Sequence, residues 1–95
     1  MTKAYLQITL QIDKGNRNGA ASVYTKYKQP FLSKIKGAIS KELLVRDQDV
    51  QVLHSFDTLE NANAYLTNDL FKNDVVEGLK PFLESNPDIK IYNAI

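Results

Sequence analysis

The sequence predicts an α+β sandwich of ferredoxin-like βαββαβ order: one four-stranded antiparallel sheet with both helices on a single face. Three observations predict it. Residues 5–12 and 89–95 alternate apolar and polar side chains with the period of a strand. Val23, Tyr27, Phe31 and Ile35 recur every fourth residue, the spacing of one helix face. Two short apolar runs, 41–46 and 50–56, flank the polar turn Arg46-Asp47-Gln48-Asp49 as the arms of a hairpin. With a second helical stretch before the last strand, the order is strand, helix, strand, strand, helix, strand, which fits a split βαβ sandwich.

Each element has its own grounds. In the first strand Leu6, Ile8, Leu10 and Ile12 point one way and Tyr5, Gln7, Thr9 and Gln11 the other. Residues 13–19 hold Gly and Asn, which tolerate positive φ, and predict a loop. The first helix follows, its stripe widened by Ala20 and Tyr24. Pro30 lies inside that pattern and predicts a kink or a break there, because it lacks a backbone donor and crowds the preceding turn. Gly37, after Lys34 and Lys36, predicts the helix stop. In the hairpin, pairing Arg46 with Asp49 sets Val45 opposite Val50, Leu43 opposite Val52 and Lys41 opposite His54. Asp57-Thr58-Leu59-Glu60 approximates a capping box and predicts a helix to about residue 68, with Ala62, Tyr65 and Leu66 inward. Residues 74–84 predict further helical turns, interrupted by Pro81, and Asp69 and Asp74 read as helix caps.

At 95 residues the chain predicts one domain over 1–95, since two halves would each be too small to bury a useful core. Hydrophobic residues at 43% and charged residues at 24% lie in the globular range. A net charge of +1 argues against a strongly charged partner. The lysines gather only at Lys26, Lys28, Lys34, Lys36 and Lys41, which read as a solvated face, so no nucleic-acid partner is expected. There is no cysteine, no pair of histidines at metal-ligand spacing and no phosphate-binding glycine loop, and neither a metal nor an organic cofactor is expected. The start of the chain lacks a signal-peptide pattern, and no apolar run approaches the ~20 residues that span a bilayer. A cytoplasmic protein without membrane partners is the expectation.

With both helices on one side, the other sheet face is bare. It would carry Tyr5, Gln7, Thr9, Gln11, Glu42, Leu44, Arg46, Gln51, Leu53, Ser55, Lys90, Tyr92 and Ala94. That mixture is too apolar for water and too polar for a core, which predicts a homodimer packed sheet to sheet. The same topology serves RNA-recognition modules, but those stack bases on aromatics of the two central strands. Here Tyr5 stands alone on those strands.

The run VQVLHSFDTLENANAYLTNDLFKNDVVEGLKPFLESNPDIKIYNAI, with QITLQIDKGN before it, resembles the antibiotic-biosynthesis-monooxygenase-like branch of the dimeric α/β-barrel superfamily. The resemblance covers nearly the whole chain. It implies a homodimer with a pocket in each protomer between sheet and helices. It also implies an activity drawn from cofactor-independent quinone-forming oxygenases, haem-degrading enzymes or enzymes that process signal molecules. The haem-degrading members use an Asn, a Trp and a His; the corresponding positions are Ile8, Phe56 and, approximately, Tyr65, so haem degradation is not expected.

The inner face is apolar except for His54 and Asn93, with Lys41 at its margin. Buried polar groups without partners cost roughly 1 to 3 kcal/mol each. Either His54 and Asn93 bond each other, the tyrosines and the backbone, or they line a cavity. On the second alternative His54 is the catalytic base, Tyr65 and Asn93 are orienting donors, and Phe56, Tyr24, Tyr27 and Ile8 bind the substrate, a small aromatic or carbonyl metabolite. On the first, the protein is a non-catalytic ligand-binding or dimeric assembly module.

Overall fold

The computed structural model describes residues 3–95; Met1 and Thr2, at the edge of the expected domain span, lie outside the described residues. Strand β1 (Lys3–Leu10) alternates without a break, with Ala4, Leu6, Ile8 and Leu10 buried. A single 3-10 turn (Lys14–Asn16) leads into helix α1 (Arg17–Lys34). Strands β2 (Ala38–Val45) and β3 (Val50–Phe56) form the hairpin. After α2 (Leu59–Tyr65) comes α3 (Asp69–Phe71), which passes directly into a π-helical stretch, Lys72–Gly78. A 3-10 turn (Lys80–Phe82) then leads to β4 (Asp88–Ala94).

The strand order is β2-β3-β1-β4, antiparallel throughout, so the ferredoxin-like expectation holds. The hairpin register is the one predicted: Val45 opposes Val50, Leu43 opposes Val52 and Lys41 opposes His54. The turn is closed by the Arg46 amide donating to the Asp49 carbonyl at 3.1 Å and by the Arg46 guanidinium on both Asp49 oxygens at 2.7 and 2.8 Å. Helix α1 lies over β2, and α2 lies over β1, β3 and β4. The buried side chains form a cluster that includes Leu6, Ile8, Leu10, Phe31, Val52, Phe56, Tyr65 and Val75.

Several boundaries differ from expectation. Arg17, Asn18 and Gly19 are helical rather than loop; Gly19 lets the Phe82 ring approach so closely that a Cβ there would clash with it. Helix α1 runs through Pro30 without a break, because Phe31 behind it is fully buried and holds that turn on the sheet. Strand β2 begins at Ala38, earlier than residue 41, and a bulge between Ala38 and Ser40 separates its start from the regular ladder. Gly37 makes the preceding turn with φ +81°, a conformation glycine adopts freely. The α2 cap is Thr58 rather than Asp57, its hydroxyl accepting from the Asn61 amide at 3.1 Å. At α3 the capping side chain is Asn68, not Asp69. The stretch over 74–84 is π-helical and then 3-10, with Val75 and Leu79 inward and Val76 exposed.

Candidate functional site

Between α1 and the sheet lies a cavity of about 220 Å³. Its wall is largely aliphatic: Leu10, Leu43, Val45, Val50 and Val52 from the sheet, Ala20 and Ala21 from α1, and Leu79. Arg17, Asn18, Tyr24, Lys41 and Asp74 supply the polar atoms.

Lys41 and Asp74 are the chemical centre of that wall. Lys41 is on the inner face of β2, opposite His54 in the ladder. Asp74 is brought to it by the π-helical turn, in which the Leu79 amide donates to the Asp74 carbonyl at 3.0 Å, five residues back. The wider turn puts Asp74 and its neighbour Val75 both inside, which α-helical spacing does not require. Lys41 Nζ donates to Asp74 Oδ2 at 2.5 Å, with relative exposures of only 1% and 2% for the two residues. The ammonium also stands 5.8 Å from the Tyr24 ring centre and 5.6 Å from that of Phe31, within cation–π range. Tyr24 donates its hydroxyl to the Lys41 carbonyl at 2.8 Å, fixing helix to strand. Burial pushes the Lys41 ammonium below its ordinary value and the Asp74 carboxyl above its own, while their mutual attraction opposes both shifts.

Two expectations are corrected here. Lys41 is not part of a solvated lysine face but a buried strand residue, because it shares the parity of half-buried Leu43 and stands opposite buried His54 in the ladder. Asp74 is not a helix cap but the buried partner of that lysine.

His54, Tyr65 and Phe56 do come together, beneath the C-terminal half of α1 and off the cavity. Phe31 touches all three rings edge-on, with centroids 5.0 Å from His54, 5.5 Å from Phe56 and 5.1 Å from Tyr65. His54 Nδ1 lies 3.3 Å from the Leu6 carbonyl, so that nitrogen carries the proton and Nε2 is an acceptor. Neither His54 Nε2 nor the Tyr65 hydroxyl has a hydrogen-bonding partner among the described protein groups. Burial, and secondarily the Lys41 charge, lower the His54 pKa from 6.5 to about 3. Burial, and secondarily Asp74, raise that of Tyr65.

Among the other expected site residues, Tyr24 lines the cavity, Ile8 is fully buried core, and Tyr27 is half-buried against Gly78. Asn93 corrects an expectation: it pairs with Ala4 on the edge strand β4 and is exposed, one residue from the end of that strand. Lys41 was within reach of sequence reasoning, for the hairpin register already sets it opposite His54. Asp74 carried no such signal, because a π-turn has no periodicity to read. Among the described residues no three His, Asp or Glu side chains converge to hold a metal ion. No described helix is long and apolar enough to cross a membrane.

No family model matches the chain, and no curated protein matches it in sequence. Solved structures do match in shape. A protein titled "Putative antibiotic biosynthesis monooxygenase from Nitrosomonas europaea" superposes with a TM-score of 0.82 at 7% identity, over 98% of this chain and 90% of that one. A protein similarly titled, from Caulobacter crescentus, gives a TM-score of 0.82 at 14% identity over the same shares. A third, from Bacteroides fragilis, is described as a dimeric protein of unknown function with a ferredoxin-like fold; it gives 0.76 at 13% identity over 97% of this chain and 96% of that one. Identities this low speak to architecture alone, and the chain has a ferredoxin-like fold shared with these solved structures.

Proposed function

We propose that the protein binds a small aromatic or carbonyl-bearing metabolite in the α1–sheet cavity and acts on it without a metal or organic cofactor, as a monooxygenase-like or isomerase-like enzyme. The observation that carries this is the buried Lys41–Asp74 pair set into an otherwise aliphatic wall. Such a wall takes up an apolar body, and a few convergent polar groups orient it. We assign the base role to Asp74, a cavity-lining carboxylate that burial raises above its ordinary value and that stands against Lys41. Asp74 would take a proton from an O–H or an activated C–H, and the Lys41 ammonium would steady the oxyanion left behind. Return of that proton to a different atom is an isomerisation; an ionised phenol or enol can instead pass electrons to dioxygen. His54, held near 3, is a weak base at neutral pH, and we place it with Tyr65 and Phe56 as the floor behind the pair.

We further propose that two copies pair through the bare sheet face, where Leu44 and Tyr92 are 43% and 52% exposed. The dimeric description of the Bacteroides fragilis structure supports this. A second functional reading, a non-catalytic binding module, draws on the closed packing of Phe31 on His54, Phe56 and Tyr65.

The test is a thermal-shift titration with hydroquinone and cyclohexenone, followed by oxygen-uptake and isomerisation assays on whichever binds. A ligand at a hundred-fold excess over Kd stabilises by about 2.7 kcal/mol. Binding with turnover that Asp74→Asn abolishes supports the enzyme; binding without turnover selects the binding module. Absence of any shift across the phenol and enone classes would sink both.

A further inference from the structure

We infer that Lys41 is a nucleophilic lysine that forms an imine with a carbonyl compound in the cavity, with Asp74 carrying the protons. The inference rests on the cavity being a ligand site and adds a covalent step to it. Lys41 is the buried lysine among the described residues, and it is one of the residues that line the cavity. Its charge is met by a single carboxylate at 2.5 Å, and aromatic faces of Tyr24 and Phe31 lie to its sides. A lysine desolvated in an apolar pocket is the kind that reacts with carbonyls, because burial favours the free amine.

The step balances without an outside reagent. Asp74 takes a proton from the ammonium, leaving an amine and a carboxylic acid. The amine nitrogen attacks the carbonyl carbon, and an N-to-O proton shift gives a carbinolamine. The Asp74 carboxyl then protonates the departing hydroxyl as the C–O bond breaks, and water leaves. The iminium that remains carries the positive charge the ammonium had, opposite a regenerated Asp74 carboxylate. The buried pair is therefore charge-matched before and after.

The cavity also indicates which carbonyl compounds fit. Its aliphatic wall asks for an apolar body. Arg17, also on the wall, donates through Nε to the Ile12 carbonyl at 3.3 Å and through its two terminal nitrogens to the Arg46 and Asp47 carbonyls at 2.7 and 2.8 Å. A guanidinium has five N–H groups, which leaves about two for a ligand anion. Arg17 precedes Tyr24 by seven residues on α1, or roughly 10 Å at 1.5 Å per residue. The preferred ligand class is an aldehyde or ketone on a short aliphatic chain that ends in a carboxylate.

The experiment treats the protein with hexanal or adipic semialdehyde and limiting sodium cyanoborohydride, then maps reduced adducts by peptide mass spectrometry. Hexanol, which binds without reacting, reports the cavity separately by thermal shift. The expected result is an adduct at Lys41 ahead of the exposed lysines, formed about 10-fold faster with adipic semialdehyde, and slowed about 100-fold in Asp74→Asn. Far-UV circular dichroism checks that this variant folds, and site mapping on the unaltered protein decides the question even if it does not. Adducts confined to exposed lysines while hexanol still raises Tm overturn the inference and leave the cavity reading standing. Absence of both the Lys41 adduct and the hexanol shift overturns both. Equal rates for the two aldehydes overturn the role given to Arg17.

Discussion

His54 makes the stability of this protein depend on acid in a way that can be calculated. The imidazole is completely buried, its Nδ1 proton goes to the Leu6 carbonyl, and its pKa falls from 6.5 to about 3. In the unfolded chain the ring takes up a proton as pH drops through about 6.5, whereas in the folded protein it stays neutral until near 3. The stability it contributes is therefore present above the unfolded value and lost as pH falls from there toward 3. Between about pH 7 and about pH 4.5 the loss is about 2.5 kcal/mol. That magnitude depends only on the unfolded value so long as the folded pKa stays below the final pH, so its exact position hardly matters. The measurement is urea unfolding at both pH values for the protein and for His54→Phe, followed by circular dichroism. Asp74, raised by burial, and Asp49, lowered mainly by its hydrogen bond with Arg46, titrate in both proteins and cancel in the comparison. The variant is expected to lose about 2.5 kcal/mol less than the parent over that interval. Parallel losses in the two would refute the claim that His54 is buried and neutral.

Lys41→Met leaves a buried carboxylate unpaired and is expected to cost about 3 to 5 kcal/mol in urea unfolding. The double variant Lys41→Met, Asp74→Leu should recover most of that loss, since an apolar pair of similar volume replaces the ion pair. Tyr65→Phe removes a hydroxyl with no partner among the described residues and should leave Tm unchanged or raised, whereas Tyr24→Phe forfeits the 2.8 Å bond to the Lys41 carbonyl and should cost about 1 kcal/mol. Leu53→Lys, on the bare sheet face, should shift sedimentation toward the monomer without loss of far-UV signal; an unchanged sedimentation coefficient that is dimeric would place the interface elsewhere.

The sheet was legible because its physics is local and periodic. The alternation through Leu6, Ile8 and Leu10 and the Arg46–Asp49 turn settle which side chains point inward, and the structure keeps that parity over both arms of the hairpin. The helical connections were less legible. Pro30 pointed to a break that burial of Phe31 overrides, and the start of α1 was obscured by Asn18 and Gly19, residues that also suit turns. The site was half legible. Parity places His54, Phe56 and Lys41 on the inner face, but a lysine at the end of a strand reads as solvent-facing until something buried answers its charge. Asp74 is that answer, and it comes from a stretch with neither α-helical nor strand spacing. Asn93 shows the opposite error: inward parity near the end of an edge strand does not guarantee burial.

The π-helical stretch Lys72–Gly78 makes the Lys41–Asp74 contact a matter of chain length more than of residue identity. Removing one residue from it would tighten the turn toward α-helical pitch and change the direction of Asp74 relative to the residues that follow it. Asp74 would be turned relative to the cavity while the pocket side chains of the sheet and of α1 stayed as they are. A single-codon deletion there would separate chemistry from fold, an outcome that a substitution scan of the pocket would never sample.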